Sequence, residues 1–298
     1  MKEHFPGFYP FSHREKISYL KDATIILDSS VLLDLIKLNQ TKLFVKLLEY
    51  GDIVDRLWIP YDVAWLYHHE MNAMIMGQIE RIKSSLSLLT QCKKTYEDAS
   101  NYPFLKKDTY DKFISLVKDI ELESKIHITN LTTSLYIDFN KVIIDNLFKN
   151  RIGNSYADSE MLKLYADGEK RFAERVPPGY IRRTNQIVNS RVSYHDYIIW
   201  EQMQKYAKKE NKNILFVTNN VSEDWFYIVN SEVVSPLQSL INEFKTNTNK
   251  SFYCISTYDF VNRICKTYSI EEDIDTLLEQ LFVNVRSTIV ESNLVSNI

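Results

Sequence analysis

The chain is poor in the residues that make tight turns and covalent staples. Six glycines and seven prolines in 298 residues are too few for an all-β fold, which needs many short turns. The three cysteines, Cys92, Cys254 and Cys265, stand far apart and form no CxxC pair. This excludes a disulfide framework and a thiolate zinc site, and it fits a reducing compartment. No stretch approaches the roughly 18 uninterrupted apolar residues of a membrane span. The opening MKEHFPGFYPF has no apolar signal core. The expectation is a cytoplasmic protein with no membrane contact. A strong positive balance is also missing, since the net charge is −3. That removes the simplest mark of a nucleic-acid-binding domain but leaves room for a local basic groove.

What is present describes an ordinary folded chain, 45% apolar and 25% charged. Its length suits one large α/β domain with insertions, or two small domains. Tyrosine is abundant, at 19 residues. Amphipathic packing at half-buried positions is the first reading of that excess, and base stacking a minority use.

Residues 1–21 read as an irregular arm leading into a short polar helix. ATIILD (Ala23–Asp28) is a continuous apolar run ending in an acid, the pattern of a buried parallel strand. Ser29 and Ser30 follow as N-cap candidates, and VLLDLIKL continues with helical spacing. LWIP (Leu57–Pro60) is a second strand candidate, and Asp62 is placed to cap the helix after it. From Asp62 to Asn150 the pattern is helical, broken at Asn101–Asp108 around Pro103, which predicts a helical hairpin or bundle. Further on, YHDYIIWEQMQKYAKKE (Tyr194–Glu210) is an amphipathic helix, and NILFVT (Asn213–Thr218) and SFYCIST (Ser251–Thr257) are buried strands. Strands alternating with helices predict a mostly parallel sheet.

Open parallel sheets bind ligands beyond the carboxyl ends of their strands. Two strands here end in candidate ligands: Asp28 after ATIILD, and Asn219-Asn220 after NILFVT. Asp196 lies in the first turn of the helix before the second strand. Hard cations such as Mg²⁺ and Mn²⁺ take oxygen ligands of this kind. Each residue has a plainer use as well. Asp28 and Asp196 can cap helices, and Asn219 and Asn220 can make an Asx turn. His195, beside Asp196, suits a general base or a metal ligand, or simply a helix start in a polar rim. Lys170, Arg171, Arg175, Arg182, Arg183 and Arg191 form a basic stretch, readable as a phosphate track or as a solvated loop. Trp200 and Trp225 read as core.

The strings IILDSSVLLDL, LWIPYDVA, IGNSYADSE, LYADGEKRF, VPPGY, YHDYIIWEQM and LFVTNNVSEDWF, in that order over roughly residues 23–265, resemble the PIN-like nuclease family, in a bacterial branch with a large helical insertion. The resemblance implies a three-layer α/β/α sandwich with a central mostly parallel sheet. The implied boundaries are 1–268 for the α/β domain, about 78–150 for the insertion, and 269–298 for a helical tail. It implies an acidic site dependent on Mg²⁺ or Mn²⁺, with Asp28 and Asp196 as metal ligands and Asn219 and Asn220 beside them. It also implies RNA or single-stranded nucleic acid as partner; from the basic stretch, Arg171, Arg175, Arg182 and Arg183 are the candidate contacts. A toxin or phage-defence role follows from the same resemblance. The segment Gln78–Asn150, rich in Leu and Ile and with little family signal, reads either as the docking site of a partner protein or as a self-packed helical layer.

The chain departs from that family pattern at several positions. Leu66 stands where relatives carry a Glu, and Glu70, one turn later, is the compensating acid on offer. Arg182 replaces an acid after PPGY, His195 replaces a small residue, and Asn219 and Asn220 stand where Asp is common. An amide offers similar oxygens but lacks the charge that favours Mg²⁺. Two expectations follow: a metal-dependent ribonuclease, or a PIN-like fold that has lost catalysis and binds nucleic acid or protein.

Overall fold

In the computed structural model the described residues are 1–270, except 2, 4, 10, 38–40, 98–104, 137–138, 182–189 and 231. The predicted tail at 269–298 therefore falls almost wholly outside them. The chain divides into two compact units, Met1–His68 with Ile143–Ile298, and His69–Val142.

The first unit opens with a single 3-10 turn, Pro6–Phe8, and α1 (His13–Asp22). Ser12 starts α1 with a capping box: its hydroxyl accepts from Glu15 N at 3.2 Å while Glu15 Oε2 accepts from Ser12 N at 2.7 Å. Then come β1 (Thr24–Leu27), α2 (Ser29–Lys37), α3 (Thr41–Leu48) and the long α4 (Tyr61–Glu97). The helical unit takes most of α4 and adds α5 (Lys107–Ser134). A ring contact between Tyr96 and Phe113 (5.4 Å) ties the end of one helix to the start of the other. α6 (Phe139–Leu147) returns the chain to the α/β unit, which continues with α7 (Asp158–Ala173), the short α8 (Ser190–Ser193) and α9 (His195–Glu210). It ends with β2 (Ile214–Val217), β3 (Phe226–Val229), β4 (Glu232–Pro236), α10 (Gln238–Thr248), β5 (Phe252–Ile255) and α11 (Thr257–Thr267).

The predicted central sheet is there, with β2 between β1 and β5 and all three strands parallel. Every residue of the three strands is buried, as expected of a sheet covered by helices on both faces. LWIP contributes less than a strand. Ile25 pairs with Leu57, and Ile59 with Ile152, through isolated parallel bridges, and Pro60 ends the segment. On one face the core is aromatic: Trp200 lies 5.0 Å from Phe252, and Phe216 lies 4.9 Å from Trp225.

Two features differ from the sequence reading. The helical unit runs 69–142, against the expected 78–150: α4 continues without a break across its start, and Ile144 of α6 and Phe148 just after it are buried. And β3 and β4 form an antiparallel hairpin outside the central sheet, with Asn230 at its turn in the left-handed region (φ 51°). Among the described residues no helix is long and apolar enough to cross a membrane.

Candidate active site

The parallel register decides what meets what. Leu27 pairs with Val217, so the next residues, Asp28 and Thr218, emerge side by side at the carboxyl rim. α9 must carry the chain back toward the amino end of β2, so its own first turn, with His195 and Asp196, lies at that same rim. This is how residues 28, 196 and 218–220 come together.

Asp28 is only 4% exposed. Its Oδ1 accepts from Ser29 N (2.7 Å) and Ser29 Oγ (3.2 Å), and its Oδ2 accepts from Ser30 Oγ (2.7 Å) and Thr218 Oγ1 (2.7 Å). Ser29 and Ser30 thus turn their hydroxyls to Asp28 and do not act as simple caps. The carboxylate also sits at the amino end of α2, where the helix dipole favours negative charge. Asp196, 5% exposed, accepts from Asn220 Nδ2 at 3.4 Å. Asn219 Nδ2 donates to Asp34 Oδ2 at 2.9 Å, and Asn219 N donates to Ser30 Oγ at 3.1 Å. His195 is 3% exposed, so it lies inside the wall and not on a polar rim. Its Nε2 stands 3.4 Å from Ser29 Oγ.

The structure thus gathers Asp28, Asp196, Asn219 and Asn220. It adds three residues whose place the sequence reading missed: Asp34, Ser30 and Thr218. For Asp34 the available signal was its i, i+4 spacing from Ser30, which puts both on one face of α2. Glu70 is half-buried on α4 and belongs to the helical unit. Leu66 is buried.

The basic stretch reads differently in three dimensions. Arg171 makes a two-pronged pair with Glu243 (3.0 and 2.9 Å), donates to Pro177 O, and stacks over Tyr197. Arg191 donates from Nε to Asp62 Oδ1 at 2.6 Å and lies over Trp65, 4.4 Å from the ring centre. Both guanidinium groups are thus paired within the chain and only partly exposed, so a phosphate at Arg171 would have to compete with Glu243. Arg175 is exposed. Arg182 and Arg183 lie outside the described residues. Asp62, expected from sequence to cap its helix, is fully buried and turns its carboxylate instead to Arg191 and to Gln202 Nε2 (2.9 Å).

Asp224 explains why VPPGY and SEDW belong together. Its Oδ2 accepts from Gly179 N (2.7 Å) and Ile181 N (3.4 Å), and its Oδ1 accepts from Ser222 Oγ. Gly179 has φ +97°, and a Cβ there would lie 2.9 Å from Asp196 Cβ. The PPGY turn is therefore packed directly behind Asp196, at a position only glycine fits.

Burial shifts two further groups of the α/β unit. Burial pushes the Cys254 thiol well above its ordinary value, and the Asp28 carboxylate adds to the effect, so this thiol is inert. Burial raises the Glu201 carboxyl, with Glu243 and Asp167 adding to the rise and Arg171 opposing it.

A divalent metal fits this rim only in an open, water-rich form. All the candidate ligand atoms are hard oxygens, as Mg²⁺ requires, and Mg²⁺ is commonly held by one or two carboxylates plus waters. However, four protein donors already occupy Asp28, about as many as a carboxylate accepts. Among the described residues, no group of three His, Cys, Asp or Glu side chains is placed to hold a metal ion.

A family model described as a PIN like domain matches residues 24–240. No curated protein matches, and no solved structure matches.

Proposed function

The chain belongs to the PIN-like domain family, and from that premise we propose that it is a metal-dependent nuclease acting on RNA. One observation supports this most: Asp28 and Asp196, 168 positions apart in sequence, are both buried at one strand-end rim with Asn219 and Asn220 between the strand and the helix. Asp28 and Asp196 would hold the cation, with the amide oxygens of Asn219 and Asn220 as neutral neighbours. Mg²⁺ or Mn²⁺ there would supply an activated water and offset charge on the phosphate. Arg175, exposed at the end of α7, is the described arginine of the basic stretch most open to the RNA backbone. A toxin or phage-defence effector is the setting we propose for such an activity.

The test is RNA cleavage with Mn²⁺, comparing wild type with Asp28→Asn. The variant keeps the side chain's shape but loses its charge, and we expect a fall of at least about a hundredfold, on the order seen when one charge-stabilising group is removed from an active site. Equal rates in the two proteins would reject the assignment.

A second reading is a PIN-like module that binds RNA without cutting it. The four donors on Asp28 favour it. Wild type that binds RNA but leaves it intact at millimolar Mn²⁺ would support this reading over the first.

A further inference from the structure

The two amides at the end of β2 do the same thing twice. Asn219 turns its Nδ2 to Asp34 (2.9 Å), and Asn220 turns its Nδ2 to Asp196 (3.4 Å). An amide placed against a carboxylate presents its N–H side, because the carbonyl side would repel it. The remaining acid, Asp28, is met by a backbone N–H and three hydroxyls. Each of the three carboxylates at the rim thus faces a donor supplied by the chain itself.

We infer that Asn219 and Asn220 set the metal demand of this site: their N–H groups take the place of a cation's charge beside Asp34 and Asp196, so the rim keeps its shape with no ion bound. The inference rests on reading the rim as a cation site. Acids brought together without such donors repel one another, and the repulsion is relieved when one takes up a proton or a cation lies among them. Here that need is met by neutral side chains. A cation must then compete with hydrogen bonds already made, and its affinity is low. Changing either amide to the matching acid removes a donor, adds a charge, and couples the fold to metal.

Thermal unfolding in EDTA and in 1 mM Mn²⁺ at pH 8 tests this, with Mn²⁺ binding followed by electron paramagnetic resonance. The proteins are wild type, Asn219→Asp and Asn220→Asp. Wild type should melt at the same temperature in both buffers. Each Asp variant should melt several degrees lower in EDTA, recover most of that loss in Mn²⁺, and bind Mn²⁺ at least tenfold more tightly than wild type. If Asn220→Asp does not fold, Asn219→Asp carries the test alone. A wild type stabilised by micromolar Mn²⁺ overturns the inference. So does an Asp variant unaffected by EDTA, or one that loses stability and regains none with Mn²⁺. RNA cleavage by wild type is scored separately: an inert wild type that melts as expected removes the nuclease reading and leaves the role of the amides standing.

Discussion

Asp224→Ala should be the most informative single change outside the rim. The carboxylate is fully buried, and it holds Gly179 N, Ile181 N and Ser222 Oγ. Hydrogen bonds to a charged group contribute about 1.5–3 kcal/mol each, and a stranded buried donor costs about 1–3 kcal/mol. The Ser222 hydroxyl can rotate, and the Ile181 contact at 3.4 Å is long. The main loss is therefore the 2.7 Å bond from Gly179, and the expected cost is about 3 kcal/mol. Asp224→Asn behaves differently. Its Oδ1 can keep Gly179 N, and its Nδ2 can donate to Ser222 Oγ once that hydroxyl turns round, so its cost should be only about 1 kcal/mol. Urea unfolding followed by tryptophan fluorescence measures both, since Trp225 adjoins the site and is 1% exposed. The slope of free energy against urea should be unchanged. Cleavage should fall with stability in the Ala variant, because Gly179 backs Asp196. An Ala variant within about 0.5 kcal/mol of wild type, the usual range of a neutral surface change, would refute the reasoning. So would an Asn variant as damaged as Ala.

Arg191→Ala should destabilise by about 3–5 kcal/mol, because it leaves the buried Asp62 carboxylate with only the neutral Gln202 amide and no countercharge. In calorimetry or urea unfolding, Arg191→Met combined with Asp62→Leu should recover most of that loss, and a neutral Arg191→Ala would show that Asp62 is paired elsewhere. Glu201→Gln tests the raised carboxyl. A raised folded value means the native state prefers the protonated acid, so the ionised group costs stability increasingly as pH rises from the unfolded value through the folded one. The Gln variant should match wild type near pH 4, roughly the unfolded value of a glutamate, and become the more stable of the two as pH rises. Urea midpoints across that window decide it, and a gap that narrows with pH would contradict the assigned cause.

Much of the fold was legible from local pattern. ATIILD, NILFVT and SFYCIST are short apolar runs rich in β-branched and aromatic residues, the pattern of strands buried on both faces. The hairpin at β3 and β4 is harder to read from the sequence: FYIV is an apolar run, but it follows the rim loop directly, and β4 is mostly exposed. The helical unit was placed late at its start because a continuous helix carries no boundary signal where it leaves one packing partner for another.

The site divides in the same way. Sequence determined that Asp28, Asn219 and Asn220 stand at strand ends and Asp196 at a helix start, because those positions follow from local periodicity. It could not determine that Arg171 pairs with Glu243, that Arg191 neutralises Asp62, or that Asp224 reaches back 45 residues to Gly179. Those pairings depend on which elements pack together, and an unpaired charge and a paired one look the same in a string of letters. Only the tertiary structure decided that Asp34 faces Asn219 and that four donors surround Asp28. The physical reason is register: once Leu27 and Val217 lie side by side, the hydroxyls and amides that follow them have a carboxylate within reach.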